Sequence, residues 1–134
     1  MGFWEEAQIL APQIIALREE FHRHPEVSRQ EFWTAERIEK ELDDIGITDH
    51  RRVDGTGVYA VFHGDKPGER VITLRADIDA LAMQDEKTDV PYCSQIPGRM
   101  HACGHDAHAA GLLAGARLLY GHRFEFGGEV RLFF

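Results

Sequence analysis

The chain has 134 residues, 43% of them hydrophobic, and carries 15 basic against 23 acidic side chains for a formal net charge of -8. That size and apolar fraction suit one globular domain rather than a disordered or fibrous chain. The acidic balance argues against nucleic acid or an anionic membrane as a partner, since both need a basic face, and no apolar run approaches the ~20 residues of a membrane span.

No secretory signal is visible, because Met1–Glu6 leads straight into a charged amphipathic stretch. Gly2 lacks the Ser or Thr at position 6 that myristoylation needs, since Glu6 stands there. The two cysteines, Cys93 and Cys103, are too few for a disulfide framework and fit a reducing cytoplasm. Leu10, Ile14, Leu17 and Phe21 then recur at helical steps and predict a first helix. Pro12 is expected near its start, and the helix is expected to end before His24-Pro25. Ser28-Arg29-Gln30-Glu31 matches a capping box for a second helix. Its apolar face would be Phe32, Ala35, Ile38, Leu42 and Ile45, with Gly46 as a left-handed stop.

Val58–Phe62 and Val71–Leu74 are β-prone runs joined by a Gly/Asp/Pro-rich link, which predicts neighbouring, antiparallel strands. Residues 83–100 read as a long loop, a kind often functional in compact domains. Asp106 is expected to cap a third helix over Ala107–Tyr120, whose many Ala and Gly residues would let it approach a sheet closely. Glu129–Phe134 reads as a final strand. Its stop on two phenylalanines, with no turn and no polar tail, reads as the cut end of a longer chain. The succession is an α/β pattern. In such sheets ligands sit at the carboxyl ends of strands and at helix N-termini, which singles out Arg75–Leu81 and His101–His108.

His101-Ala102-Cys103-Gly104-His105-Asp106-Ala107-His108 gathers three histidines, a cysteine and an aspartate. In an extended segment Cys103 and His105 would point the same way. A thiolate with an imidazole suits Zn²⁺, Mn²⁺, Co²⁺ or Ni²⁺, and a helix N-terminus favours the thiolate. The residues alone leave three readings open: a ligand pair, a small buried cysteine beside polar groups at a helix start, or a Cys103 nucleophile with a histidine base. Asp77 and Asp79 at a strand end could ligate a metal or orient an imidazole. Their alternative is a solvated turn or an ion pair with Arg75, the reading favoured for Asp79. In Phe21-His22-Arg23-His24-Pro25-Glu26 the basic groups complement a helix end, which favours a structural role.

Together Arg23-His24-Pro25-Glu26, Gly55-Thr56-Gly57-Val58, Leu74–Leu81 and Met100–His108 resemble, in order and spacing, the M20 peptidase/amidohydrolase family. The most similar subgroup contains hippurate hydrolases, N-acyl-amino-acid amidohydrolases, auxin-conjugate hydrolases and N-acetyldiaminopimelate deacetylases. The resemblance implies a three-layer αβα catalytic domain of the zinc-exopeptidase kind with a mixed sheet, of which residues 1–134 would be the N-terminal portion. It implies a centre of two divalent ions (Zn, Mn, Co or Ni), with Cys103 and His105 as ligands and Asp77 close behind them, orienting the shell. In the wider clan a ligating histidine stands at the position of Arg75. Arginine has no lone pair to offer, so the subgroup pattern assigns this share of ligation to Cys103 and His105. The implied activity is hydrolysis of the amide bond of N-acyl amino acids. The family's Gln-Pro-Ala-Glu-Glu segment, with its general-base glutamate, would lie beyond Phe134. So would the lid domain, through which such enzymes dimerise. The rivals are a truncated, non-catalytic relative and a thiol enzyme using Cys103.

Overall fold

A computed structural model describes residues 1–134. In chain order it contains α1 (Phe3–Arg23), α2 (Phe32–Ile45), β1 (His50–Val53), β2 (Gly57–His63), β3 (Lys66–Arg75), α3 (His105–Gly121), one 3-10 turn (Arg123–Glu125) and β4 (Gly127–Phe133).

The apolar face of α1 is buried at Leu17 and Phe21, and the helix stops at Arg23, ahead of Pro25, as expected. Its start differs from expectation. The helix begins at Phe3, so Pro12 lies inside it rather than in its first turn. An interior proline removes a backbone hydrogen bond. Pro12 is on the exposed side, where water can serve the freed carbonyl.

The expected cap on α2 is also corrected. Ser28 makes no capping bond, and Glu31 occupies the N-cap position. The orphan N–H groups of Trp33 and Thr34 instead donate to the Glu26 carboxylate at 3.2 and 2.7 Å. The Thr34 hydroxyl adds a third bond at 2.7 Å. A carboxylate also complements the positive end of the helix dipole. Ala35, Ile38 and Leu42 are buried as predicted, but Phe32 is exposed. Gly46 ends α2 with φ 102, a left-handed value that glycine adopts at no steric cost.

The sheet runs β1-β2-β4-β3. β2 and β3 therefore do not pair: β4 enters between them, antiparallel to β2 and parallel to β3. The β1 hairpin on β2 was not anticipated. In β2 and β4 burial alternates with period two, so Val58, Ala60, Phe62, Val130 and Leu132 face the core. Ala109, Ala110, Leu113 and Ala116 of α3 meet them, with α1 and α2 alongside. The small residues of α3 thus face the core, although its glycines do not need their lack of a side chain for it: an added Cβ at Gly111 or Gly115 would touch nothing. The chain is an α/β assembly with a mixed sheet whose core draws on one sheet face. β3 forms an exposed edge.

Candidate metal centre

Two backbone features bring the distant motifs together. After β3 the chain stays extended: Ala76 N–H donates to Phe133 O at 2.9 Å, and Ala80 N–H donates to Glu26 O at 2.8 Å. Leu81 and Met100 then exchange both backbone bonds, at 2.9 and 3.0 Å. The intervening loop leaves and returns at one place, so the histidine-rich segment emerges beside Asp77–Asp79. An open cleft of about 830 Å³ lies at the carboxyl ends of β3 and β4, and Arg75, Asp77, Asp79 and His105 line it.

The segment itself is not extended. Gly104 has φ 81 and precedes the first residue of α3, His105. No side chain crowds Gly104, so the positive φ, not space, calls for glycine. Cys103 is exposed at this turn.

His105 Nδ1 lies 2.8 Å from Asp79 Oδ1 and 3.0 Å from the Asp79 carbonyl oxygen. Both are acceptors, so Nδ1 is the nitrogen that donates, and the neutral ring keeps its lone pair at Nε2. Nε2 is 3.9 Å from Asp77 Oδ2. That is too long for a hydrogen bond, so Nε2 and this Asp77 oxygen face each other unbonded. Arg75 holds the other oxygen of Asp77 at 2.6 Å. This arrangement corrects the expected role of Asp79. Asp79, assigned to a solvated turn, orients the imidazole. Asp77, expected behind the ligand shell, faces the free nitrogen.

The donor chemistry fits a divalent transition ion: a free imidazole nitrogen, an exposed thiol and a nearby carboxylate. No set of three such side chains converges in the structure. A closed site would need further donors.

The remaining histidines separate by role. His108 stacks on His105 with ring centres 5.4 Å apart. His101 is 4% exposed, and neither ring nitrogen has a protein partner. Burial pushes its pKa down to about 4, further lowered by His22 and His105 and opposed by Asp106. His24 Nδ1 pairs with Glu20 O at 2.9 Å, and its ring stacks on Trp33. His22 is buried against Asp106 at 2.7 Å. His22 and His24 of the Phe21–Glu26 cluster thus have specific protein partners beyond the helix dipole. Sequence reasoning missed Asp85, an isolated acid in a polar loop. It is buried, and it accepts from Ser94 N–H and Lys87 N–H at 3.0 and 3.1 Å.

A family model described as Peptidase family M20/M25/M40 matches residues 73–134. An N-acetyl-L-cysteine deacetylase of Bacillus subtilis (strain 168) is 45% identical over 125 residues, which is 93% of this chain and 30% of the relative. An N-acyl-L-amino acid amidohydrolase of Geobacillus stearothermophilus is 43% identical over 121 residues, 90% of this chain and 32% of the relative. The crystal structure of the Bacillus subtilis YXEP protein, described as a dinuclear metal-binding peptidase from the M20 family, matches with a TM-score of 0.87 at 40% identity. That match covers 95% of this chain and 35% of that one. The chain thus spans about a third of the length of the relatives it matches.

Proposed function

Because the chain belongs to peptidase family M20/M25/M40, we propose that the protein containing it is a metal-dependent amidohydrolase acting on N-acyl amino acids. Cys103 and His105 supply part of its metal site. The observation that carries this reading is the pair of bonds from His105 Nδ1 to Asp79, which leaves Nε2 free in the cleft. Relatives named for N-acyl amino acid and N-acetyl-L-cysteine hydrolysis support the substrate class.

A divalent ion at this place would polarise an amide carbonyl and acidify water. Asp79 fixes the ring of His105, and Asp77, neutralised on one side by Arg75, presents its second oxygen to the same space. Two ligands do not close a metal site, so the remaining donors and a general base would come from outside these 134 residues. No hydrogen bond joins Cys103 to a histidine, and Cys103 is exposed, which leaves the nucleophile reading without a base to support it.

The test is a metal analysis and a hippurate and N-acetylcysteine hydrolysis assay on the whole protein in which these residues occur, with Cys103→Ala and His105→Ala beside it. Loss of bound metal and of turnover in both variants is expected. Chelator-insensitive turnover, blocked by alkylation of Cys103, would favour a thiol enzyme instead. Absence of turnover with metal fully bound would favour a non-catalytic relative. The 134 residues alone, supplied with Zn²⁺ or Mn²⁺, are expected to give no turnover.

A further inference from the structure

Asp106 belongs to the same short segment as Cys103 and His105, yet it neither caps α3 nor faces the cleft. Its carboxylate is 1% exposed, accepts from His22 Nδ1 at 2.7 Å and forms an ion pair with Arg18, whose Nε lies 2.9 Å away. His22 is itself 2% exposed. Its other nitrogen lies 3.5 Å from Asp85 Oδ2, and the Asp85 carboxylate is fixed by the Ser94 and Lys87 backbone N–H groups. One buried line of charged and polar groups therefore runs from α1, through the loop that follows Leu81, to the first turn of α3.

Helix geometry gives this line a consequence for the metal donors. Successive helical residues point about 100° apart around the axis. Clamping Asp106 into the interior therefore sets the direction of His105, which turns outward to Asp79 and the cleft. Cys103 follows from the same setting, one left-handed glycine away. Stability alone does not account for burying these groups, because well-packed apolar residues of similar volume often serve as well or better than a buried ionic set. What the ionic set supplies is one rotational setting for the start of α3.

We propose that Arg18 and His22, acting through Asp106, are positioning residues for the metal-binding turn Cys103–His105. This rests on the reading of Cys103 and His105 as ligands.

The experiment is a Co²⁺ titration of the whole protein containing these residues, read by the thiolate-to-cobalt charge-transfer absorption, with urea unfolding as a check on folding. Three variants are compared with the parent: His22→Phe, Arg18→Met, and His22→Asn, whose amide offers a donor where Nδ1 stood. Loss of an outer partner of a metal ligand typically lowers metal affinity ~10–100-fold. Arg18 and His22 touch Asp106 rather than a ligand, so a loss of about 10-fold, the lower end of that range, is expected in His22→Phe and Arg18→Met, with most of the affinity recovered in His22→Asn. A folded His22→Phe that binds Co²⁺ within about threefold of the parent, far less than that loss, and with the same absorption band, overturns the proposal. Should His22→Phe not fold, Arg18→Met decides in the same way, since the Arg18 side chain is already 33% exposed. Cys103→Ser separates the two layers of the reading. A parent protein with no charge-transfer band, or a band that survives Cys103→Ser, removes Cys103 as a ligand and the positioning role with it. Parental affinity in His22→Phe removes only the positioning role.

Discussion

Asp79 Oδ1 lies 2.8 Å from His105 Nδ1, although 26 residues separate the two in the chain. The bond selects the ring tautomer and its orientation together. Asp79→Ala is expected to weaken divalent-metal binding about 10-fold, the lower end of what such outer partners contribute, because the Asp79 carbonyl still receives the ring at 3.0 Å. Isothermal titration with Zn²⁺ checks this. An unchanged affinity would mean that the carbonyl alone orients the ring.

Two substitutions separate the real cap of α2 from the one that its sequence advertises. Glu26→Ala removes three bonds to Trp33 and Thr34 and is expected to destabilise by about 1–2 kcal/mol. Ser28→Ala, at an exposed residue with no capping bond, is expected to change stability by less than about 0.5 kcal/mol. Urea denaturation midpoints of both variants check the pair. The reverse order of effects would restore Ser28 as the cap.

Leu113 of α3 is 1% exposed within the core cluster. Leu113→Ala is expected to cost about 2–5 kcal/mol through lost burial and the cavity left behind. The same denaturation experiment reads it, and a cost well under 1 kcal/mol would place Leu113 outside the core.

His122 ties the two ends of the helical layer together, with Nε2 at 2.9 Å from Glu6 and Nδ1 at 3.1 Å from Glu125. The hydrogen bond to Glu6, then that to Glu125, raises its pKa above the ordinary 6.5. The folded state therefore keeps a proton that the unfolded state releases. The resulting stabilisation is complete below the unfolded pKa and is lost as pH rises through the folded one. The difference in urea midpoint between the parent and His122→Gln is expected to be largest near pH ~5.5 and to shrink toward pH ~9. A difference that grows with pH would contradict the direction of the shift.

The parts of the fold that were legible in the sequence are those governed by local periodicity. They include the buried faces of α1 and α2, the glycine stop at Gly46, the strands β2 and β4, and the loop from 83 to 100. The placement of both chemical segments at a strand end and a helix start also followed from local pattern. What escaped was non-local. The insertion of β4 between β2 and β3 depends on pairings across more than 50 residues (Leu74 with Leu132, for example). Ser28 matched a capping pattern, but Glu26 reached the same N–H groups from the preceding turn. Asp77 and Asp79 are chemically alike and lie two positions apart. Only the path of the chain past Phe133 and Glu26 decides which of them meets His105 Nδ1. His22 and Asp106 were both visible as polar residues, and nothing in their neighbourhoods announced a partner 84 positions away.

The clasp between Leu81 and Met100 uncouples distance along the chain from distance in space. Both sides of the cleft are set where the loop is pinched, so the tip of the loop is free to vary in length. Closure entropy grows only slowly, about 0.6 kcal/mol for a doubling of loop length. Asp89 is exposed, and it lies between Lys87 and Ser94, the two residues that hold Asp85. Its neighbourhood is a place where a peptide tag or a new recognition segment could be spliced in close to the cleft without moving His105 away from Asp79.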